Sequence, residues 1–212
     1  MKTTVSNSDL NWLQMEVLSS AQRLDFEQAR RISALVYAMI TEPERVNYIY
    51  HTLDDEIYTP SEFDQCEKMK IAFKRDEYCA ALLAQTPGQT FKSNVVELTH
   101  GGFSFELKLA CRYHIWNAAH NYGAGIQSTS AETAREFEKY VFHFDYDRKR
   151  VVYMLASGAL RDSLIGISKI NNKIFKIPIV RGDRFWNSGI EKLNEIGFKW
   201  WLYFDNFGNK RT

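Results

Sequence analysis

The stretch ELTHGGFSFELKLACRYH, residues 97–114, carries the change of period on which the fold depends. Val96 and Leu98 before Gly101-Gly102, and Phe103, Phe105, Leu107 and Leu109 after it, alternate with mostly polar neighbours, as half-buried strands do on either side of a tight turn. A two-glycine turn keeps Val96, Leu98, Phe103, Phe105 and Leu107 on one face, so Glu97, Glu106 and Lys108 share the other. If the glycines alone make the turn, Glu97 stands opposite Glu106. Like charges so placed are destabilising unless a cation joins them. The simplest expectation is a solvent-facing hairpin with a local ion pair.

Upstream of this stretch the spacing is helical. Ser8 suits the cap of a helix with Leu10, Leu13, Val17, Ala21 and Leu24 on one stripe, and Asp25 the cap of a second with Ile32, Leu35, Val36, Met39 and Ile40. Thr41-Glu-Pro-Glu44 and Thr59-Pro-Ser-Glu62 have the reciprocal capping spacing with proline in the first turn. Phe63, Cys66, Phe73, Ala80 and Leu83 continue an apolar face until Pro87-Gly88 stops it.

Downstream, residues 140–155 (YVFHFDYDRKRVVYML) suggest a second hairpin turning near Arg148-Lys149, and residues 164–180 a third turning at Asn171-Asn172, with Pro178 pointing to an edge strand. Thr129-Ser-Ala-Glu132 opens a short helix with Phe137 and Tyr140. A last helix after Asp183, with Ile190, Leu193 and Ile196, stops at Gly197 before a strand over 198–205. Helices first and strands after give an α+β expectation: a helical part over 1–88, then a mainly antiparallel sheet with one or two helices over 89–212, the two forming either separate subdomains or one compact unit.

The composition is that of a soluble globular chain: 212 residues, 45% apolar and 25% charged, with an aromatic share of 14% that needs an interior or a partner to cover it. No apolar run reaches the roughly 18 residues of a membrane-spanning helix. The N-terminal residues carry no leader pattern, so a cytoplasmic setting is the expectation. Cys66, Cys79 and Cys111 are sparse and sit in periodic segments, as buried free thiols do.

The net charge of +1 hides a polarity: residues 1–90 hold 9 Lys+Arg against 14 Asp+Glu, and residues 141–212 hold 13 against 7. In the basic part cations alternate with rings, a mixture that suits protein interfaces and also single-stranded nucleic acid. The binding residues it nominates are Arg148, Lys149, Arg150, Lys173, Lys176, Arg181, Arg184 and Trp186.

No glycine-rich nucleotide loop is present; Asn121-Tyr-Gly-Ala-Gly125 has two glycines without the rest of such a motif. His100, His114 and His120 lie close in sequence, and Cys111-x-x-His114, drawing on Glu106, has a spacing that suits a metal only within a fuller set of ligands. These residues point first to a non-catalytic macromolecule-binding protein, regulatory or inhibitory, needing no cofactor and meeting a protein partner. Binding of nucleic acid without cleavage is an alternative. The enzyme alternative rests on Glu97, Glu106 and Lys108. Over residues 97–108 the pattern resembles the core of the PD-(D/E)xK nucleases, with Glu97 where that family generally has Asp. The resemblance implies acidic groups holding Mg²⁺ and a lysine beside the attacking water.

Overall fold

A computed structural model describes residues 4–15, 20–86 and 89–206, the side chains of 15 and 20–29 excepted. In chain order come β1 (Thr4–Ser6), α1 (Asn7–Met15), α2 (Ser20–Thr41), the two-residue strands β2 (Val46–Asn47), β3 (Thr52–Leu53) and β4 (Glu56–Ile57), α3 (Pro60–Arg75) and α4 (Glu77–Ala84). Then follow β5 (Thr90–His100), β6 (Phe103–Tyr113), β7 (Ile115–Asn117), β8 (Tyr122–Thr129), α5 (Ala134–His143), α6 (Tyr146–Ser157), β9 (Arg161–Ser168), β10 (Ile174–Val180) and α7 (Arg184–Trp200). The fold is α+β, as the change of period predicts. Its sheets run β1-β6-β5, β10-β9-β8-β7 and β2-β3-β4.

The opening hairpin forms as read, with Gly101 and Gly102 both at positive φ in the turn and Glu97 paired with Glu106. The 164–180 hairpin also forms, Asn172 at φ 57° in its connection, and β10 is an edge strand that tolerates Pro178. At Thr59 the capping box is complete: its hydroxyl accepts from Glu62 N–H at 3.2 Å, and its own N–H donates to Glu62 Oε2 at 2.8 Å.

Other expected boundaries move, each for a visible reason. The first helix is capped by Ser6 and Asp9 rather than Ser8: Ser6 N–H donates to Asp9 Oδ2 at 2.7 Å. α2 already runs through Asp25. At Thr41 only a 3-10 turn (Pro43–Arg45) forms, because the Thr41 hydroxyl donates back to the Tyr37 carbonyl at 3.0 Å and Glu42 is engaged elsewhere. Thr129 is still strand, so Thr133 caps α5 instead, accepting from Glu136 N–H. Pro87-Gly88 lies outside the described residues.

Two larger corrections concern 140–155 and 198–205. The first is not a hairpin but the end of α5 and most of α6, broken at Asp145, which takes φ 54°. Phe137 and Val141 bury at helical spacing, and packing on the sheets overrides the β propensity of Tyr-Val-Phe-His-Phe. The second is not a strand. α7 continues past Gly197 to Trp200 with Leu193, Ile196 and Trp200 on its buried face, and a π-helical turn (Trp201–Asn206) follows.

The crossover from β8 through α5 and α6 to β9 joins parallel strands. One apolar cluster lies between α5, α6, α7, β10 and the inner face of β5 and β6. A second lies where α2, α3 and α4 meet Ile115, Ala124, Ile126, Ile165 and Ile167 of the four-stranded sheet. β9 is therefore covered on both faces and is buried continuously from Asp162 to Ser168, Leu164, Ile165 and Ile167 among them, rather than in alternation. All three cysteines are free and buried, and burial pushes each thiol up to about 12. Among the described residues no helix is long and apolar enough to cross a membrane.

One polar contact crosses this apolar interior. Arg150 of α6 donates from Nε and Nη2 to Asp162 of β9 at 2.8 and 2.6 Å, and the Tyr113 hydroxyl of β6 donates to the same carboxylate at 2.8 Å. Arg150 and Asp162 are each 1% exposed. Burial pushes the Asp162 carboxyl up, and the guanidinium and the Tyr113 hydroxyl counter it. Removing one partner of such a pair strands the other charge. Asp162→Asn should therefore destabilise the fold by about 3–5 kcal/mol in chemical denaturation, while a loss under 1 kcal/mol would show that Arg150 finds water.

Candidate binding cleft at the open edge of β8

β7 pairs with β8 only from Ile115–Asn117 to Tyr122–Ala124. From Gly125 onward β8 has β9 on one side and, among the described residues, no strand on the other. Around that edge three elements bring polar side chains together: α2 with Ser33, Tyr37 and the following Glu42, the β6–β7 junction with Arg112 and His114, and α6 with Lys149, Arg150 and Tyr153. Ser33, Tyr37, Gln127, His114, Lys149 and Tyr153 are all partly exposed.

The wall between α2 and β8 is hydrogen-bonded. Ser33 and Ser128 share a 2.6 Å hydroxyl contact, and Gln127 Nε2 donates to Ser33 Oγ at 3.0 Å. Glu42 is almost wholly buried and takes Arg45 and Gln89 as donors. His114 stands beside it, Nδ1 lying 2.6 Å from Glu42 Oε1 but off the hydrogen-bond axis. Arg112 Nε donates to His114 Nε2 at 3.3 Å, so the ring proton is on Nδ1, and Tyr37 meets the ring edge-on at 4.1 Å. Burial pushes His114 down to about 4, with Arg112 and Lys149 adding to the effect against Glu42. The imidazole is neutral at pH 7.

Cations dominate the α6 side. Arg150 lies over the rings of Tyr153 and Tyr113, at 4.5 and 5.4 Å from their centroids. Gly125 makes room for it: an ideal Cβ at 125 would collide with Arg150 Nη1 and stand 3.0 Å from Cζ. Lys149 has no carboxylate in ion-pair reach among the described residues. Burial, with the Arg150 charge added, pushes its ammonium down to about 8. The two acids at hand, Glu42 and Asp162, are already held by other donors. The Lys149 charge therefore has no described carboxylate to offset it, and rings flank it.

The nominated residues are thus divided. Lys149 is partly exposed on the His114 side and Arg150 is buried against Asp162, so neither forms a surface patch with Arg148. Arg148 is 3% exposed and donates from Nη1 to Gln14 at 2.9 Å and from Nη2 to Asn11, tying α6 to α1. Lys173, Lys176, Arg181 and Arg184 do reach solvent along β10 and the start of α7. Of these, Lys176 is paired with Asp76 at 2.7 Å, Arg184 with Glu138, and Arg181 covers the buried Trp186 at 4.9 Å.

Glu97 and Glu106 face each other on the exposed side of the first sheet, and Lys108 is the next residue along that face. Arg112, on the same face, is six residues from Glu106, about 20 Å at the rise of a strand. The hairpin trio and the cleft are separate places. Cys111 and His114 also part company: the thiol turns inward to the Tyr153 carbonyl and the imidazole toward Glu42. Among the described residues no three His, Cys, Asp or Glu side chains gather as metal ligands would. Sequence reasoning did not reach Ser33, Tyr37, Glu42, Arg112 or Gln127. The one available signal was Gly123-x-Gly125 within a strand, which marks close approach by a neighbour.

No protein-family model matches this chain. No curated protein matches it either. Among solved structures, SSO0001 is similar at 11% identity and a TM-score of 0.39, covering 92% of this chain and 77% of that one. A phage-related exonuclease from Haemophilus somnus 129PT is similar at 12% identity and a TM-score of 0.42, covering 99% of this chain and 98% of that one.

The position of Lys149 has a pH consequence. Its ordinary value is 10.5, so between about pH 8 and 10.5 the folded chain has released a proton that the unfolded chain keeps. Stability then rises with pH across that window, and the cost of the poorly solvated ammonium is complete below it. The urea midpoint of the wild type should gain on that of Lys149→Met between pH 7.5 and 9.5. A constant difference would mean that the ammonium is solvated.

Proposed function

We propose that this protein binds a macromolecule without transforming it, and that the macromolecule is nucleic acid, held with its phosphates in the cleft at the β8 edge. One observation carries the reading: the exposed Arg112 and the partly exposed Lys149 both lie close enough to His114 for their charges to act on it, beside Tyr37, which meets that ring edge-on at 4.1 Å, and the nearby Tyr153. Cations that follow phosphates beside rings on which bases stack are the working parts of single-strand binding surfaces. The engagement of Glu42 by Arg45 and Gln89, and of Asp162 by Arg150 and Tyr113, favours binding over proton transfer, since neither acid is left to act as a general base.

A second reading, a protein partner, draws on a different place. Ile49 and Tyr50 of the β2–β3 turn and Ile57 of β4 are 83%, 73% and 73% exposed, an apolar outcrop of the kind that interfaces cover. The exposed cations Lys173 and Arg181 would serve either partner by steering.

Fluorescence anisotropy with a labelled single-stranded oligonucleotide separates these readings. Binding at low salt should weaken steeply with added salt, and Lys149→Met or Arg112→Glu should each weaken it about tenfold. Lys173→Glu, away from the cleft, should change affinity far less. Absence of binding at low salt removes nucleic acid and leaves the protein partner. Equal losses from cleft and β10 variants would move the interface to the basic strip.

A further inference from the structure

β5 is the outer strand of its three-stranded sheet and has no strand beyond it among the described residues. In a hairpin with a two-residue turn the flanking residues, here His100 and Phe103, exchange both backbone hydrogen bonds, and the pattern then alternates along the strand. Even-numbered residues of β5 therefore spend their N–H and C=O groups on β6, while Phe91, Ser93, Val95, Glu97 and Thr99 aim theirs outward. No described residue meets those outward groups. Folded chains usually keep such an edge from pairing by shortness, proline, a bulge or an outward lysine. β5 has none of these: it runs for 11 residues in unbroken register, and its single lysine, Lys92, lies on the inner face over the Trp116 ring. Its solvent face instead carries Phe91 and Val95, 73% and 48% exposed.

A cavity of about 340 Å³ lies at the end of this edge, between Thr99, His100 and Gly101 on one side and Glu191, Asn194 and Glu195 of α7 on the other. β6 contributes no residue to it, so it lies on the free side of the strand. Asn194 Oδ1 is buried without a donor among the described residues, Glu191 has no described cation, and Glu195 accepts from Lys199 at 2.7 Å. Lys92 is the complement, an ammonium that meets the Trp116 ring at 4.9 Å and no described carboxylate.

We infer that a second copy of this chain pairs with this edge, β5 against β5 and antiparallel about a two-fold axis at Val95, making one continuous sheet across two subunits. An axis normal to the sheet pairs only residues that share a face. With Val95 on it, Phe91 stands against the partner's Thr99 and Ser93 against the partner's Glu97, and the outward groups of both strands bond each pair. The two Val95 side chains meet on the solvent face. On the inner face the partner's Lys92 stands opposite Leu98, one same-face position from His100, and its long stem carries the ammonium to the cavity that holds Glu191, Glu195 and the unpartnered Asn194 oxygen. The symmetry fills both cavities at once.

Sedimentation velocity on the full chain, from micromolar to near-millimolar concentration, tests this. A dimer that dissociates on dilution is expected. Hydrogen exchange should slow with concentration at the amides of Phe91, Ser93, Val95, Glu97 and Thr99, while those of Lys92, Asn94, Val96 and Leu98 stay protected throughout. Val95→Pro removes an outward N–H at the axis, and an edge position tolerates proline, so the variant should keep its fold and lose the dimer. Lys92→Glu should weaken the dimer about tenfold, and adding Glu191→Lys should restore it. If Val95→Pro does not fold, Lys92→Glu and its rescue decide. A monomer across the whole range overturns the inference, as does a dimer whose affinity survives Val95→Pro. A dimer abolished by Val95→Pro but unchanged in Lys92→Glu overturns the register with Val95 on the axis.

Discussion

The bidentate pair between Arg150 and Asp162 is the constraint around which the rest of the molecule is arranged. It joins α6 to β9, and through the Tyr113 hydroxyl it reaches β6, so one contact ties the three-stranded and four-stranded sheets to the helix between them. A charge taken this far from water is tolerated only when an opposite charge is fixed against it. That requirement spreads outward. β8 must carry glycine at 125 for the guanidinium to lie against it.

Around this pair, the run Asp145 to Arg150 shows how a helix distributes neighbouring charges. Successive residues point about 100° apart. Asp147 turns to Ser188 and Lys192 of α7, Arg148 to α1, Lys149 to the cleft and Arg150 to Asp162. What looks in one dimension like a single basic patch is four separate connections. Three of them, from Asp147, Arg148 and Arg150, hold the interior together, and only Lys149 reaches the surface.

The exposed trio on the first hairpin illustrates the opposite case. Glu97, Glu106 and Lys108 are where alternation and a two-glycine turn place them, on the solvent side with the two glutamates in register. Their arrangement follows from local rules alone, and so it says little about chemistry: any amphipathic hairpin with such residues would show it. The cleft is different because residues 33, 114, 127 and 149 approach one another only after α2 and α6 have packed on opposite sides of β8.

The sequence by itself determined the elements whose signals are local: the Gly101-Gly102 hairpin and its register, the Thr59–Glu62 capping box, the Asn172 connection with Pro178 on an edge, the buried thiols and the α+β order of the chain. Each depends on turn geometry, capping or a period of two or 3.6, all carried by residues close together along the chain. Only the tertiary structure decided that residues 140–155 are helical, that α7 runs through Gly197, and that Arg148 and Arg150 are interior. In those segments strand and helix propensities are nearly balanced. The choice was made by which face could bury against α7 and the two sheets, and by a carboxylate twelve residues away on β9.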